Sequence, residues 1–296
     1  MPRTPAWRPA RPHPLAAWAG LGLALAAKVA LVAALLAGAA TKAHAQAAAA
    51  TADAQGRVQA RVQASGTVKV CIWPDYYGVS LRHPRTQQLA GIDIDLAAEL
   101  GRDLKAQVQF VDSSFPTLVE DLNSGRCDVA MFAVAMLPQR MAVLGFTRPY
   151  LQSDIYGVTT KGNQVVRRWE DIDKPGVAVA VQAGTFMEPV MAAALKHARL
   201  VKVQPPATRE RELEAGRVDV FMTDYPYSRR LLDNADWATL VAPSTPFHVL
   251  PYAYAVKKDQ TEWLAVVDAF VARIQRDGRL EAAARRHGLG PIVRLQ

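Results

Sequence analysis

Residues 91–134, GIDIDLAAELGRDLKAQVQFVDSSFPTLVEDLNSGRCDVAMFAV, alternate between helix-like and strand-like segments. Residues 92–104 place apolar side chains at helical spacing, and 108–111 is a short strand-like run. A second helix is predicted at 115–123 and a buried strand at 128–134. This alternation predicts α/β layers with largely parallel sheets.

The same alternation recurs further along the chain, so the sequence contains two similar α/β units. The first unit begins with a β-branched, apolar strand at 67–73, which Pro74 stops. We therefore predict an α/β fold with two lobes. The second unit is predicted to contain a strand at 176–181, a helix ending at Leu195, a strand at 201–203, a helix at 210–215 and a buried strand at 218–223.

The chain is predicted to pass between the two units twice. An extended stretch at 149–157 leads into the second unit, and the chain returns near 251–256 before a long helical region at 262–287. Open sheets of this type bind ligands beyond the carboxyl ends of their strands, so we expect a ligand cleft between the lobes. The predicted lobes are residues 67–152 plus 256–296, and residues 153–255.

The N-terminal segment has the pattern of an export signal. Three arginines precede residue 12 without any acidic residue, an apolar run follows at 29–40, and Ala43-His44-Ala45 has the small-x-small form of a cleavage site. We predict a signal peptide at 1–45, cleaved after Ala45, and hence a periplasmic protein. The alternative is an uncleaved anchor, because 15–40 is largely apolar and covers the roughly 20 residues that span a bilayer.

The charge of the chain lies largely in this segment. Removing 1–45 removes five basic and no acidic residues, which lowers the formal net charge from +8 to +3. The remaining lysines and arginines are scattered among acidic residues, so no nucleic-acid partner is expected. Residues 46–66 are rich in alanine and glutamine and contain no aromatic residue, and a flexible N-terminus is predicted there.

Two cysteines, Cys71 and Cys127, are predicted to lie on or beside strands of the first lobe. In an oxidising compartment they can form a disulfide if their Cα atoms come within about 7 Å, and two buried thiols are the alternative. Neither cysteine has metal-site spacing, and the histidines are not paired as ligands. No metal or other cofactor is predicted.

Six short motifs in register, spread over 67–288, resemble the polar amino-acid-type solute-binding proteins of ABC transporters, family 3 of the bacterial extracellular solute-binding proteins. The resemblance implies a periplasmic-binding-protein-like fold, a small polar ligand such as an amino acid, an ABC transporter permease as partner, a monomer and no enzymatic activity. The motifs are Gly91 to Leu96, Leu118 to Asp128, Arg140 with Phe146 to Tyr150, Val179 to Thr185, Ala215 to Asp219 leading to Asp224, and Asp277 to Leu280.

The resemblance also assigns binding roles to polar residues. Arg140 falls where the family binds the ligand carboxylate, and Asp224 where it binds the ammonium group. Thr185 follows Gly184 at a strand-to-helix turn that can bind an anion, or it is an ordinary helix N-cap. Gln182 either contacts the ligand or is a solvated residue at a strand end.

Aromatic residues complete the predicted site. Tyr76 and Phe115 fall where the family places aromatic walls around the ligand side chain, and Trp73 and Tyr77 are weaker candidates from the same turn as Tyr76. The resemblance implies hinge closure, in which ligand bound to the first lobe is covered when the second lobe swings in.

The sequence departs from the family where many relatives carry small hydroxyl residues that hydrogen-bond the ligand. Here those positions are Ala133 and Ala135, and a common threonine is replaced by Leu137. Where binders of basic amino acids carry an acid, this chain has Trp73, with Asp75 nearby. The ligand pocket is therefore expected to differ from the usual one.

Two other functions are compatible with the fold. Cyclohexadienyl dehydratases resemble these binding proteins and place a glutamate as general acid where this chain has Tyr227, whose ordinary pKa near ~10 suits that task poorly. Some periplasmic proteins of this fold resemble accessory partners of quinoprotein dehydrogenases, and the alanines at Ala133 and Ala135 fit a weakened ligand site as well.

Overall fold

The computed structural model describes residues 57–295, so the predicted signal peptide and residues 46–56 lie outside the described residues. Residues 57–65 are helical, and the prediction of a flexible segment is wrong for them. Val58 and Val62 lie one helical turn apart on one face, and Val62 is buried in the core. Arg61 forms an ion pair with Asp128, which fastens this helix to the first lobe.

The first lobe is built on a six-stranded sheet of mixed direction. Its strands are β1 (Thr67–Ile72), β4 (Gln107–Asp112), β5 (Val129–Ala135), β6 (Leu144–Phe146), β7 (Leu151–Ser153) and β13 (Leu250–Lys257). Their order is β4-β1-β5-β13-β6, with β7 also paired to β13. Strands β1, β4 and β5 are parallel, whereas β13 runs antiparallel to its three neighbours. A short hairpin of β2 (Leu81–Arg82) and β3 (Leu89–Ala90) stands apart from this sheet.

The second lobe has a five-stranded sheet in the order β10-β9-β11-β8-β12. Its strands are β8 (Ile155–Thr160), β9 (Ala178–Gln182), β10 (Arg199–Val203), β11 (Val220–Asp224) and β12 (Ala238–Val241). Strands β10, β9 and β11 are parallel, while β8 and β12 are antiparallel to their partners. The predicted fold class, two α/β lobes, is confirmed.

Helices cover the two sheets. They are α1 (Ile92–Leu104), α2 (Leu118–Asn123), α3 (Pro138–Met141), α4 (Met187–Ala194), α5 (Arg209–Glu214), α6 (Tyr225–Leu232), α7 (Thr261–Arg276) and α8 (Arg279–Arg286), with 3-10 turns at Trp169–Asp171 and Gly290–Ile292. The last two helices pack on the first lobe, where α8 contacts α1 and α7 contacts β6. The fully buried Trp263 of α7 donates from its indole nitrogen to the Asp128 carbonyl at 2.9 Å.

The two lobes use a matching GRxD turn to join a helix to a buried strand. In the first lobe, Asp128 accepts a hydrogen bond from the backbone N–H of Lys69 at 2.8 Å. In the second, Asp219 accepts one from the N–H of Ala178, also at 2.8 Å. Each carboxylate thereby ties the start of one strand to its neighbour, which explains why the motif occurs once in each unit.

The second passage between the lobes differs from its predicted position. Residues 250–255 were assigned to the second lobe, but β13 pairs Tyr252 with Ala135 and Pro251 with Gln152 in the sheet of the first lobe. Residues 252–256 are all buried. Pro251 has no backbone N–H to donate, and the strand tolerates it because its neighbour there is the short strand β7. The return passage is therefore residues 242–249, between β12 and β13.

A buried carboxylate joins the two passages. Asp154 lies between β7 and β8, on the outward passage. Its two oxygens accept hydrogen bonds from the backbone N–H groups of Phe247 at 2.8 Å and His248 at 2.6 Å, on the return passage. It also accepts one from the N–H of Ile155 at 2.7 Å. The two passages are thus held side by side at a single residue.

The first lobe also contains a cross-link. Cys71 of β1 and Cys127, just before β5, form a disulfide with their Cα atoms 5.6 Å apart. The parallel pairing of Cys71 with Ala130 brings the two cysteines to neighbouring positions despite their sequence separation of 56. Of the two alternatives left by the sequence, the structure has the disulfide.

Candidate functional site

A small cavity of about 20 Å³ lies between the two lobes. This volume corresponds to about one water molecule, for which roughly 10–15 Å³ is needed. The first lobe contributes Trp73, Tyr76, Phe115, Ala133, Ala135 and Tyr252 to its wall. The second lobe contributes Thr185, Phe186, Met187, Arg209, Thr223, Asp224 and Tyr227.

Asp224 is the one carboxylate on this wall among the described residues. It ends β11 and is the N-cap of α6, where its Oδ1 accepts from the backbone N–H of Tyr227 at 3.2 Å. Its Oδ2 accepts from the hydroxyls of Tyr76 and, at 2.7 Å, of Tyr252. The side chain is buried, and burial raises the pKa of Asp224 above its ordinary value although these hydrogen bonds oppose the shift.

The two tyrosines on Asp224 belong to the first lobe, so these hydrogen bonds join the lobes. Burial, followed by the charge of Asp224, raises the pKa values of Tyr76 and Tyr252 well above the ordinary 10. Both hydroxyls therefore remain protonated donors at neutral pH. Tyr76 is among the site residues predicted from the sequence, whereas Tyr252 is not, because the sequence pattern assigns the residues around it to the passage between the lobes.

Arg140 is not part of the cavity wall, but it contacts the wall residues Phe115 and Ala135. It belongs to the short helix α3 and donates to the carbonyls of Ala135 at 3.2 Å and, across the lobes, of Gly184 at 2.6 Å. Its guanidinium also lies over the ring of Phe115, 5.3 Å from the centroid. No carboxylate lies within ion-pair distance of Arg140 in the described chain, and burial lowers its pKa to about 10.

The turn after β9 brings the second lobe against the first. A Cβ added at Gly184, whose φ is +76°, would lie 2.8 Å from the backbone nitrogen of Pro116. Only glycine fits both this left-handed backbone and the close approach. The contact with Arg140 and the fit against Pro116 therefore depend on the same residue.

Thr185 and Gln182 occupy different places around this turn. Thr185 lies on the cavity wall, but its hydroxyl donates to the Gln182 carbonyl at 2.7 Å. It is not a helix N-cap, because α4 begins after Phe186 and has no side-chain cap. Gln182 is buried at the end of β9 and is not on the wall, so the alternative of a solvated strand end is wrong, while its contact with the ligand stays a prediction.

Aromatic rings form one side of the cavity. Phe115 packs edge-on against Trp73 at 5.2 Å between centroids and against Phe132, also at 5.2 Å. Trp73 stacks on Tyr227 of the second lobe at 6.3 Å. Both predicted aromatic residues, Tyr76 and Phe115, thus lie on the wall, and Trp73 shares it.

Ala133 owes its position to a second buried aspartate. It has a left-handed backbone conformation, φ +49°, which costs an alanine about 1–2 kcal/mol. Its N–H donates to the carboxylate of Asp93 at 3.0 Å, which also accepts from the hydroxyls of Tyr150 at 2.6 Å and Tyr254 at 2.9 Å. Burial raises the pKa of Asp93 to about 7.

Two further wall residues were not predicted. Arg209 begins α5, is buried, and donates to the Met222 carbonyl at 2.8 Å. Thr223 lies on the adjacent strand β11 and is fully buried. Residues 209–214 read RERELE, a charged run typical of an exposed helix, so no sequence signal distinguished the buried arginine within it.

Within residues 57–295, no cluster of histidine, cysteine or acidic residues is arranged to hold a metal ion. None of the helices in that range is long and apolar enough to cross a membrane.

Comparison with known proteins identifies relatives over most of the chain. The model of the bacterial extracellular solute-binding proteins, family 3, matches residues 68–290. A cyclohexadienyl dehydratase of Pseudomonas aeruginosa is 29% identical over 213 residues, covering 69% of this chain and 78% of the relative. The L-cystine-binding protein TcyJ of Escherichia coli is 24% identical over 199 residues, covering 67% of this chain and 74% of the relative.

Solved structures share the same architecture. The ancestral amino acid-binding protein AncCDT-1, described as a precursor of cyclohexadienyl dehydratase, is 27% identical and superimposes with a TM-score of 0.70, covering 76% of this chain and 97% of its own. A solute receptor for L-cysteine of Neisseria gonorrhoeae, 21% identical, also has a TM-score of 0.70 and covers 79% of this chain and 94% of its own.

Proposed function

Because the chain belongs to the bacterial extracellular solute-binding proteins, family 3, we propose that it is a periplasmic receptor for a small amino-acid-like ligand. It captures the ligand between its lobes by hinge closure and delivers it to an ABC transporter permease. The observation that carries this proposal is the pair of buried, oppositely charged groups where the lobes meet. Asp224 of the second lobe lies on the cavity wall, and Arg140 of the first lobe contacts the wall residues Phe115 and Ala135.

The chemistry of these two groups matches the two ends of an α-amino acid. A guanidinium presents paired donors to a carboxylate, and a buried carboxylate gains most from a cationic partner such as an ammonium group. To bind these ends, Arg140 exchanges carbonyl acceptors for the ligand carboxylate, and Asp224 exchanges tyrosine hydroxyls for the ligand ammonium. Both exchanges replace neutral partners by charged ones.

Hinge opening is the route by which a ligand enters. A cavity of about 20 Å³ is far smaller than an amino acid, so the lobes have to separate first. The hydrogen bonds broken by separation include those of Arg140 with Gly184 and those of Tyr76 and Tyr252 with Asp224. Closure over the ligand then excludes water and strengthens each polar contact.

The proposal of export rests on the N-terminal segment. Residues 1–45 have the pattern of a secretory signal cleaved after Ala45, and relatives in the family are extracellular binding proteins. Two-lobe receptors of this kind act as monomers that dock on a permease, and we propose the same for this chain. N-terminal sequencing of the protein recovered from the periplasm tests the cleavage site.

Ligand screening with two variants tests the binding function. We expect at least one of the twenty amino acids to raise the melting temperature of the purified chain. A ligand present at 100 times its dissociation constant increases the free energy of unfolding by about 2.7 kcal/mol. Arg140→Ala and Asp224→Ala should each cost about 2–5 kcal/mol of binding free energy, since each leaves a buried ligand charge unpaired. Asp233→Ala, at the exposed acid that caps the C-terminus of α6, is the matched control and should bind normally.

The outcomes of this screen are decisive. Unchanged affinity in both Arg140→Ala and Asp224→Ala would refute the assignment of the site. The absence of a shift with every amino acid would refute the proposed ligand class.

One relative supports a second candidate function, since a cyclohexadienyl dehydratase is 29% identical. Against it, the position of the general acid is Tyr227, whose hydroxyl donates to Glu210 at 2.7 Å. Burial, followed by the charge of Glu210, raises the pKa of Tyr227 well above 10, so it holds its proton too tightly for acid catalysis at neutral pH. We therefore propose binding without chemistry. Product formation from prephenate or arogenate above background would overturn that proposal.

A further inference from the structure

Arg209 is a buried cation on the wall of the interlobe cavity. Only 3% of the residue is exposed, and no carboxylate of the described residues lies within ion-pair distance of its guanidinium. The guanidinium of Arg209 lies over the rings of Tyr227 and Phe221, 4.6 and 5.2 Å from their centroids. It also donates a hydrogen bond to the Met222 carbonyl. Stacking of this kind orients a guanidinium and leaves its other donors available.

Thr223 adds an unused polar group to the same wall. Its residue is fully buried, and its Oγ1 has no hydrogen-bond partner among the described residues. A buried hydroxyl without a partner costs stability, so its retention in a packed strand points to a partner outside the chain. Thr223 directly follows Met222, the residue whose carbonyl binds Arg209.

The charges around the cavity do not balance for a simple amino acid. Arg140 and Arg209 are cationic, and Asp224 is the one acid on the wall in the described chain. Glu210, beside Arg209, binds the hydroxyl of Tyr227 and is not on the wall. An amino acid with a neutral side chain would pair its carboxylate with Arg140 and its ammonium with Asp224. Arg209 would then remain a buried cation without a counter-ion, which is costly.

We propose that Arg209 and Thr223 form a second anion-binding subsite, which selects ligands carrying an acidic group in addition to the α-carboxylate. The ligand class is therefore the acidic amino acids and closely related diacids. This inference rests on the proposed function and specifies it. In the bound state the side-chain acid of the ligand accepts from the Arg209 guanidinium and the Thr223 hydroxyl.

A different role for Arg209 is to neutralise Asp224 from a distance. The positive charge of Arg209 does oppose the rise in the pKa of Asp224. The two roles have different consequences for specificity. A residue that only neutralises Asp224 affects every ligand with an ammonium group equally, whereas a subsite for a second acid changes the ratio between an acid and its amide.

Paired ligands that differ only in this group provide the test. Calorimetric titration of the purified chain uses L-glutamate with L-glutamine, L-aspartate with L-asparagine, and glutarate and succinate as diacids without an ammonium group. We expect each acidic amino acid to bind about tenfold or more tightly than its amide, the size of one hydrogen bond to a charged group. Arg209→Gln should abolish this preference.

Two further variants guard against loss of folding and against general charge effects. Thr223→Val keeps the shape of the side chain and removes the unpaired hydroxyl, so it should raise the melting temperature while lowering the preference for acids. That combination identifies a group kept for binding. Arg211→Gln removes an exposed arginine from the same helix and should change nothing.

The possible results separate this inference from the proposed function. Equal binding of acids and amides by the wild type, or an equal loss for both in Arg209→Gln, refutes the subsite. Binding of glutarate or succinate but of no amino acid supports the subsite and refutes the amino-acid ligand. Failure of all six compounds refutes the subsite, whereas the proposed function then depends on the wider amino-acid screen.

Discussion

Two buried aspartates in this molecule have nearly the same set of hydrogen-bond donors. Asp93 accepts from the hydroxyls of Tyr150 and Tyr254 and from a backbone N–H, that of Ala133. Asp224 likewise accepts from two tyrosine hydroxyls and one backbone N–H. Burial raises the pKa of both carboxyl groups above its ordinary value.

The difference lies in where the donors come from. Every donor to Asp93 belongs to the first lobe, so the cluster stays whole when the lobes separate. Both tyrosines on Asp224 belong to the opposite lobe, so in the hinge motion that we propose these two hydrogen bonds break on opening, while the one from the Tyr227 N–H remains. The same set of hydrogen bonds thus stabilises the first lobe at Asp93, whereas at Asp224 we propose that a ligand replaces the tyrosine hydroxyls. Strand β13 takes part in both, through Tyr254 and Tyr252.

Removal of each carboxylate should give the largest difference in stability between the two aspartates. Asp93→Ala leaves two buried hydroxyls and one N–H without an acceptor, and we expect it to lower the free energy of unfolding by about 3–5 kcal/mol. Asp224→Ala should cost only about 1–2 kcal/mol, because its donors lie at an interface that water can reach when the lobes part. Urea unfolding of both variants measures the difference. Equal losses would show that the lobes do not separate.

The pH dependence of stability should follow the structural carboxyl group. The folded-state pKa of Asp93, about 7, lies above its ordinary 3.8, so the folded chain binds this proton more tightly. The stability that this group contributes is complete below about pH 4 and is lost as the pH rises through about 7, by on the order of 4 kcal/mol. Unfolding free energies of the wild type and Asp93→Asn across this range should converge toward high pH. Parallel curves would contradict this prediction.

Single hydroxyls on the shared strand should give the smallest effects. Tyr254→Phe should lower the free energy of unfolding by about 1 kcal/mol and leave ligand affinity unchanged, since its hydroxyl donates to Asp93 within the first lobe. Tyr252→Phe should cost less stability and raise the affinity about fivefold, because its hydroxyl no longer competes for Asp224. Thermal unfolding and titration with the tightest-binding amino acid measure both. If Tyr254→Phe changed the ligand affinity and Tyr252→Phe changed only the stability, the roles assigned to Asp93 and Asp224 would be wrong.

The secondary structure could be predicted from the sequence wherever a single spacing of apolar residues, helical or strand-like, dominates a segment. The helix Ile92–Leu104 was predicted with both ends correct, because apolar residues at helical spacing lie between clear boundaries. The helix α6 was missed, since it begins directly at the end of β11 and has Pro226 in its first turn, as a loop would. Strand β13 was mistaken for a passage because its partners lie far away in the sequence.

Part of the candidate site could also be predicted from the sequence. Tyr76, Phe115, Thr185 and Asp224 lie on the cavity wall because each follows a strand end, which sequence analysis can locate. Arg209 could not be found, because its burial depends on packing against Tyr227 and Phe221 from other elements. The binding roles of all these residues remain predictions.

The carboxylate of Asp154 has a mechanical consequence. Because it accepts from backbone groups of both passages, neither can slide or twist without the other. In the hinge closure that we propose, the two passages therefore move together about the point where Asp154 joins them. A hinge coupled in this way would return the proposed receptor to the same closed geometry in every cycle.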